Sequence, residues 1–297
     1  MEFKDIELND RDWMERHLKA SGYQGCDYTF GNLYIWKDLY RKQAAQESGM
    51  LCVRSRKPGS GELQYLFPAG EGDFQAAVEA VCADAKKLGE PFVMRGFEKA
   101  GADRLNAVFP GRFRIESNRA EWDYLYRVSD LALLAGKKYH KKRNHIANFE
   151  KSGEWHFEPL GAANMEACRK MCEVWYGEHA AGGNTAALMD RGVVDNAFNH
   201  FDELGFTGGV LYQAGQVVGF TIGEPLNTDT YVVHVEKAFA ERNGAYPMIN
   251  REYVKNMMRD YAYVNREEDD GLEGLRKAKE SYYPVMLEKF VAREVEA

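Results

Sequence analysis

A histidine and a glutamate two residues apart, His234 and Glu236, are the first candidates for acid–base chemistry in this sequence. They alternate with the apolar residues Val233 and Val235, so on a strand both side chains would point to one face. A carboxylate beside an imidazole can shift its pKa, and the two groups can act as base and orienting partner. An exposed sheet face or a structural ion pair would give the same spacing, and both interpretations stay open.

A short polar turn follows this strand and precedes a predicted helix. It contains Arg242, Asn243 and Gly244. The first backbone N–H groups of a helix have no partner within the helix and can bind an anion. The turn is therefore a candidate phosphate site.

A third group of polar residues follows a short predicted strand near the C-terminal end. Asn265, Arg266 and Glu267 stand at the strand end, where α/β folds commonly face a ligand crevice. Arg276 and Lys279, three residues apart, add positive charge to the next helix. The acids that begin at Glu267 can also be explained as favourable charges near a helix N-terminus. No spacing of acids, histidines or cysteines indicates a metal, and we predict none.

The basic segment 136–149 is unusual in a chain whose formal net charge is −7. It contains Lys138, Lys142, Arg143 and His145. Like charges four residues apart on a helix repel, so the segment favours an anionic partner such as phosphate. A solvated basic face on a connecting helix would explain the same charges.

Length and composition restrict the class of protein. The 297 residues, 45% of them hydrophobic, can fill one large domain or two ordinary ones. Five scattered cysteines without a CxxC motif indicate reduced thiols and a cytoplasmic protein. We expect no signal peptide and no transmembrane segment. The absence of GxSxG, HExxH, Walker and GxGxxG motifs argues against serine hydrolases, zincins, nucleoside triphosphatases and nicotinamide enzymes.

The pattern of elements predicts an α+β protein in which each half forms a mixed sheet flanked by helices. In the second half, strands at 206–212, 216–222 and 230–236 form a meander. A helix that begins near 129 should carry the basic segment, and 286–294 should be the last strand. We place an N-terminal domain at 1–135, a basic connecting helix at 136–152 and a C-terminal domain at 153–297.

The segments 123–126, 136–145, 234–238 and 265–269 together resemble the phosphatidylglycerol lysyltransferase C-terminal-domain family in its free-standing bacterial form. The resemblance implies two tandem GCN5-related N-acetyltransferase-like (GNAT-like) domains, similar in build to the Fem-type aminoacyltransferases. Members of that family move an aminoacyl group from aminoacyl-tRNA to a lipid headgroup. The expected partners are therefore tRNA and a small-molecule or lipid-headgroup acceptor, with no cofactor besides the donor.

Three functions follow as hypotheses. The first is transfer of an aminoacyl group from aminoacyl-tRNA to an amine or hydroxyl. Glu236 or His234 would be the base, and Tyr282 or Tyr283, which follow Ala278 as the acetyltransferase tyrosine does, would be the acid. The second is an acyl-CoA N-acyltransferase that acts on a small amine. The third is a module without catalysis that binds nucleic acid or anionic lipid. The sequence leaves the oligomeric state open.

Overall fold

The computed structural model of the protein describes residues 1–183 and 188–295. They form two compact units. The first contains Met1–Tyr124, Glu267–Lys279 and the described residues from Val285 onward; the second contains the described residues of Leu125–Arg266 and also Glu280–Pro284. The first unit thus takes segments from both ends of the chain, whereas the predicted domain limits are contiguous and stay a prediction.

Strands and helices alternate along the described chain, as expected for an α+β protein. The strands are β1 Lys4–Asp5, β2 Gln43–Glu47, β3 Met50–Arg56, β4 Leu63–Leu66, β5 Val93–Phe97, β6 Phe113–Ser117, β7 Asp123–Arg127, β8 Trp155–Pro159, β9 Thr207–Gln213, β10 Gln216–Pro225, β11 Thr230–Ala238, β12 Tyr263–Asn265, β13 Val285–Leu287 and β14 Phe290–Glu294. The α-helices are α1 Arg11–Ser21, α2 Phe30–Ile35, α3 Lys37–Tyr40, α4 Phe74–Leu88, α5 Lys99–Val108, α6 Val128–Leu133, α7 His140–Lys151, α8 Met165–Ala181, α9 Arg191–Asn199, α10 Ala245–Met257 and α11 Glu273–Glu280. Among the described residues no helix has the length and apolar character needed to cross a bilayer.

The first sheet has the order β1-β2-β3-β4-β5-β14-β6. Its neighbours are antiparallel except β4 and β5, which are parallel, so the sheet is mixed. Helix α4 begins where Asp73 accepts a hydrogen bond from the Ala76 N–H. The core of this unit is aromatic: the Phe67 ring centroid lies 5.0 Å from that of Phe74 and 4.9 Å from that of Phe97.

The second sheet has the order β13-β7-β12-β11-β10-β9-β8. Strands β9, β10 and β11 are the predicted antiparallel meander, which is confirmed. Strand β12 instead runs parallel to β11. Because of this pairing, the residues just after β12 lie beside the later part of β11, and this geometry builds the site described below.

The prediction of one continuous helix from residue 129 through the basic segment is wrong. Helix α6 ends at Leu133, and Leu134 and Gly136 both have positive φ, 47° and 85°. This left-handed backbone cannot continue an α-helix. A 3-10 turn at Lys137–Tyr139 then leads into α7, so Lys138 lies on a different element from Lys142.

The predicted last strand at 286–294 is also wrong, because it consists of two strands in different sheets. Strand β13 lies at the edge of the second sheet, whereas β14 pairs with β5 and β6 in the first. The residues between them are Glu288 and Lys289, and Lys289 is buried. A run of alternating apolar residues does not reveal such a change of sheet.

Candidate active site

Glu236 lies at the centre of a polar group in the second unit. It extends from β11 beside Arg266, which directly follows β12. Arg266 donates a hydrogen bond to Glu236 Oε1 at 2.7 Å, and Asn250 of α10 donates to Oε2 at 3.2 Å. The Glu236 and Arg266 side chains are 10% and 13% exposed, so the pair is largely shielded from water.

Asn250 has unused hydrogen-bonding capacity at this point. The residue is 2% exposed, and its Oδ1 has no hydrogen-bond partner among the described residues. A buried amide oxygen without a donor is unfavourable by about 1–3 kcal/mol. A ligand N–H or O–H group that reached Oδ1 would remove this penalty, so the position suits the amine or hydroxyl of a substrate.

Lys142 and Tyr282 complete the group. Lys142 Nζ lies 3.8 Å from the Tyr282 ring centroid, and the Arg266 guanidinium carbon lies 5.4 Å from the same centroid. Burial and the neighbouring Arg266 together lower the pKa of Lys142 to about 8, and Glu236 partly opposes this shift. Burial also raises the pKa of Tyr282, so its phenol stays protonated and can donate a proton.

The structure thus brings four of the predicted site residues together in one unit, and we call Glu236, Asn250, Arg266, Lys142 and Tyr282 the Glu236 cluster. A carboxylate, an amine that exchanges protons near neutral pH and a protonated phenol are suited to proton transfer. Although burial opposes its charged form, Arg266 has a raised pKa because of the Glu236 carboxylate.

His234 has a different partner from the one its spacing suggests. Its Nε2 lies 2.9 Å from Glu224 Oε1, and the side chain is fully buried. The ring also lies against Phe206, with 5.6 Å between centroids. The register between β10 and β11 shifts between Ile222 and Gly223, opposite this part of β11, so simple alternation does not apply here.

The turn at Arg242, Asn243 and Gly244 is tied to helix α7. His145 Nδ1 lies 2.8 Å from Asn243 Oδ1. Gly244 has φ 95°, and a Cβ there would lie 2.1 Å from the His145 carbonyl oxygen, so only glycine fits. The Ala245 N–H donates to the Arg242 carbonyl, so this part of the helix N-terminus is already occupied. The Arg242 side chain is exposed.

The other basic residues of this segment have separate surroundings. Arg143 donates to the carbonyls of Leu134 and Gly136, at 2.5 and 2.7 Å, and thereby closes the end of α6. Lys138 does not join the Glu236 cluster. Its Nζ lies 3.5 Å from an Asp130 oxygen and 4.8 Å from the centroid of the Tyr139 ring.

Asn265 is fully buried in β12, and the remaining predicted residues belong to the first unit. Glu267, with φ 56°, accepts a hydrogen bond from Asn32 at 3.1 Å. Arg276 forms a two-point pair with Asp269 at 2.8 and 2.9 Å, and Lys279 donates to the Glu268 carbonyl. These contacts fix the segment between β12 and α11.

The sequence analysis missed a buried ion network in the first unit. Lys289 Nζ lies 2.7 Å from Asp123 Oδ1, 3.1 Å from Asp27 Oδ2 and 3.6 Å from Glu268 Oε2. Cys26, Asp123 and Glu268 each offer one ligand atom within 4.8 Å of the others, which is an arrangement that could hold a metal. The Lys289 ammonium already provides the positive charge among them. The five cysteines are all buried and free.

The sequence analysis named neither Asn250 nor Lys289 as a site residue. Asn250 lies on the inward face of α10, where a polar residue among Met248, Ile249 and Tyr253 could have marked it. Lys289 interacts with Asp27 across 262 residues of sequence, and local patterns contain no information about such a separation.

Comparison with known proteins identifies relatives. The family model for phosphatidylglycerol lysyltransferase, C-terminal, matches residues 19–293. A solved structure of a conserved protein of unknown function from Bacteroides thetaiotaomicron is 38% identical, with a TM-score of 0.92, over 99% of each chain. A search of curated proteins finds no match.

Two more distant structures show the fold. L-PGS from Bacillus licheniformis is 16% identical, with a TM-score of 0.66, over 96% of this chain and 92% of its own. A tandem GNAT protein from the clavulanic acid biosynthesis pathway is 10% identical, with a TM-score of 0.52, over 100% and 99%. The predicted fold, two tandem GNAT-like domains with mixed sheets flanked by helices, is confirmed.

Proposed function

This chain belongs to the phosphatidylglycerol lysyltransferase C-terminal family, and on that premise we propose that it transfers an aminoacyl group from aminoacyl-tRNA to an amine or hydroxyl acceptor. Family and fold support acyl or aminoacyl transfer as the general reaction. The observation that carries the proposal is the Glu236 cluster, in which residues from α7, β11, α10 and the ends of β12 and α11 converge within one unit.

In the proposed reaction the acceptor nitrogen or oxygen attacks the ester carbonyl of the donor. The new amide or ester bond forms, and the bond to the ribose oxygen breaks. Glu236, which accepts a hydrogen bond from Arg266, takes the acceptor proton. When the acceptor is an amine, Asn250 Oδ1 orients it by accepting its second hydrogen. Tyr282 gives its proton to the departing ribose oxygen.

Lys142 Nζ lies over the ring of Tyr282, 3.8 Å from its centroid, so it returns a proton to the phenolate oxygen through water. Lys142 then takes up the proton that Glu236 releases, and all three groups are back in their starting states. A pKa of about 8 allows this lysine to gain and lose protons near neutral pH. The exposed lysines of segment 136–149 bind donor phosphates, as does the exposed Arg242, so affinity for the donor should fall as salt rises.

The test is a transfer assay with total tRNA charged with labelled amino acids, and with a lipid extract and a panel of small amines as acceptors. We expect Glu236→Gln and Tyr282→Phe to reduce the transfer rate by about 10²- to 10⁴-fold. The matched control is Glu241→Gln, an exposed carboxylate in the neighbouring turn, which should transfer at the wild-type rate.

A parallel assay with acyl-CoA donors, read as release of free thiol, separates the two donor classes. Thiol release that depends on Glu236, without any transfer from charged tRNA, would replace our proposal by the acyl-CoA N-acyltransferase. Full activity of Glu236→Gln with either donor would contradict the assignment of the site.

A further inference from the structure

An open basic cavity of about 740 Å³ lies on the second unit, outside the Glu236 cluster. Its lining residues are Lys137, Lys138, His140, Lys141 and Tyr283. Lys137 and Lys141 are exposed and have no side-chain partner among the described residues. Three lysines around one hollow repel each other unless an anion lies between them. We call this hollow the Tyr283 groove.

The aromatic side chain in the groove is held outward. Tyr283 is 55% exposed, which is unusual for an aromatic residue. Its φ of 56° is in the left-handed region, and the residue precedes Pro284, which restricts its backbone further. Its N–H donates to the Glu280 carbonyl at 2.9 Å, so the exposed orientation is fixed by the backbone.

A buried tyrosine supports this ring from one side. The ring centroids of Tyr139 and Tyr283 are 5.7 Å apart at 80°, and the Tyr139 hydroxyl donates to the Tyr282 carbonyl at 3.0 Å. Lys138 Nζ lies 5.4 Å from the Tyr283 centroid and also reaches an Asp130 oxygen at 3.5 Å. The aromatic surface is therefore rigid, and cations surround it.

From this arrangement we propose that the Tyr283 groove binds a nucleoside phosphate of the donor, with the base stacked on Tyr283 and the phosphates on Lys137 and Lys141. Stacking on an aromatic side chain beside a basic groove is how proteins bind single-stranded nucleic acid. The inference rests on the proposed function, because it assigns a place to the donor. The same chemistry occurs in the single-stranded 3′ end of a tRNA and in the nucleotide half of coenzyme A.

A membrane surface is the other anionic partner that exposed tyrosine and lysines can suit. An interfacial anchor is expected on a convex tip that enters the headgroups, whereas Tyr283 lines a cavity. The lysines that line the groove beside the Tyr283 ring favour a single planar group with attached phosphates. Binding to lipid vesicles is therefore an alternative outcome of the test.

The test is fluorescence anisotropy of a labelled four-nucleotide RNA, 5′-ACCA, with the full chain, and competition by coenzyme A or by 3′,5′-ADP. We expect Tyr283→Ala to weaken RNA binding about 5- to 100-fold, since one stacked base is lost. Tyr283→Phe keeps the ring and should bind like the wild type. The double variant Lys137→Ala/Lys141→Ala should flatten the slope of log affinity against log salt by about 1.4, at about 0.7 for each single-strand phosphate contact.

Competition by coenzyme A at concentrations comparable to the RNA would identify the coenzyme as the source of the nucleotide; its failure to compete would identify RNA. The proposal is overturned if the wild type binds none of these probes or if Tyr283→Ala binds as tightly as Tyr283→Phe. It is equally overturned if Tyr283→Ala loses only binding to vesicles of anionic phospholipid.

Glu236→Gln distinguishes this failure from a failure of the proposed function. That variant should bind the RNA normally and transfer about 10²- to 10⁴-fold more slowly than the wild type. Normal RNA binding by Tyr283→Ala, together with loss of transfer in Glu236→Gln, would remove the groove and keep the transferase. Loss of binding in Tyr283→Ala, with full transfer by Glu236→Gln, would keep the groove and contradict the assignment of Glu236 to the active site. Loss of binding in Tyr283→Ala, with no transfer by the wild type, would keep the groove and remove the transferase.

Discussion

Replacing Lys289 with methionine would remove the cation from the buried network of the first unit while nearly keeping the side-chain volume. The lysine side chain is 1% exposed, and oxygens of Asp123, Asp27 and Glu268 lie 2.7, 3.1 and 3.6 Å from its Nζ. Removing one partner from a buried ion pair typically destabilises a protein by about 3–5 kcal/mol, because the remaining charge stays buried without compensation. We expect about 4 kcal/mol for Lys289→Met at pH 8.

The destabilisation caused by Lys289→Met should depend on pH in a definite direction. Although burial opposes it, the carboxylates raise the pKa of Lys289 well above its ordinary value, so its contribution is fully present below about pH 10 and is lost only as pH rises through the folded-state pKa. Despite burial, nearby cations lower the pKa of Asp27, chiefly Arg95, and of Glu268, chiefly Lys289. Those carboxylates stabilise the fold above about pH 4, and this contribution is lost as pH falls through their folded-state pKa values.

Without Lys289 these carboxylates repel each other and take up protons at higher pH, so the destabilisation should be about 1–2 kcal/mol smaller at pH 5.5 than at pH 8. The measurement is differential scanning calorimetry with denaturant unfolding at both pH values. Lys277→Met, on the exposed face of α11, is the control and should change stability by less than about 0.5 kcal/mol. A loss below about 1 kcal/mol at pH 8, or a larger loss at pH 5.5 than at pH 8, would refute the reasoning.

Two further substitutions test the second unit. Because the pKa of Lys142 is lowered to about 8, the unfolded chain binds more protons than the folded chain between about pH 8 and 10. The free energy of unfolding of the wild type, relative to that of Lys142→Met, should therefore rise by about 1 kcal/mol across that range, with allowance for partial exposure. Urea unfolding at several pH values measures this difference. No change in this difference would contradict the lowered pKa. Gly244→Ala should lower the free energy of unfolding by at least about 2 kcal/mol, because its Cβ would lie 2.1 Å from a carbonyl oxygen. The control is Gly274→Ala, which has open space around it in helix α11 and should be neutral or stabilising. Equal effects of the two substitutions in thermal melts would argue against the tight turn.

Much of the fold could be predicted because it depends on local patterns. The meander from β9 to β11 has alternating residues and short polar turns, and α4 has a capping aspartate before a helical run of alanines and valines. The errors occurred where a single backbone position decides the outcome. Leu134 in the left-handed region ends α6, although leucine favours helices and gives no such signal.

The site could be predicted in part for a similar reason. Glu236, Arg266, Lys142 and Tyr282 attracted attention because their residue types suit chemistry, and the structure places them in contact or in the same small group. The partner of His234 could not be predicted, since it depends on where Glu224 stands across a register shift in the sheet. Pairing between strands is a tertiary property, so spacing along one strand does not determine it.

The buried network around Lys289 and the Glu236 cluster differ in how completely their charged groups are paired, and this difference separates structural charges from functional ones. In the first unit, Asp27 is satisfied by Arg95 at 3.1 Å and by Lys289 at the same distance, and Asp123 has the Lys289 ammonium at 2.7 Å. A buried network in which each charge has a close partner stabilises one conformation and leaves little capacity for a ligand. We therefore assign this network to the fold.

In the Glu236 cluster, by contrast, the polar and charged groups are not all satisfied by close partners. Asn250 Oδ1 is buried and has no donor within the described part of the chain, and Lys142 has a lowered pKa because burial outweighs the attraction of Glu236. Each of these features is unfavourable for the isolated chain, and each would be relieved by a ligand that supplies a hydrogen-bond donor and a negative charge. An acceptor amine together with a donor phosphate has both properties, so the groups that the described residues leave unsatisfied are the ones that the proposed aminoacyl transfer would use.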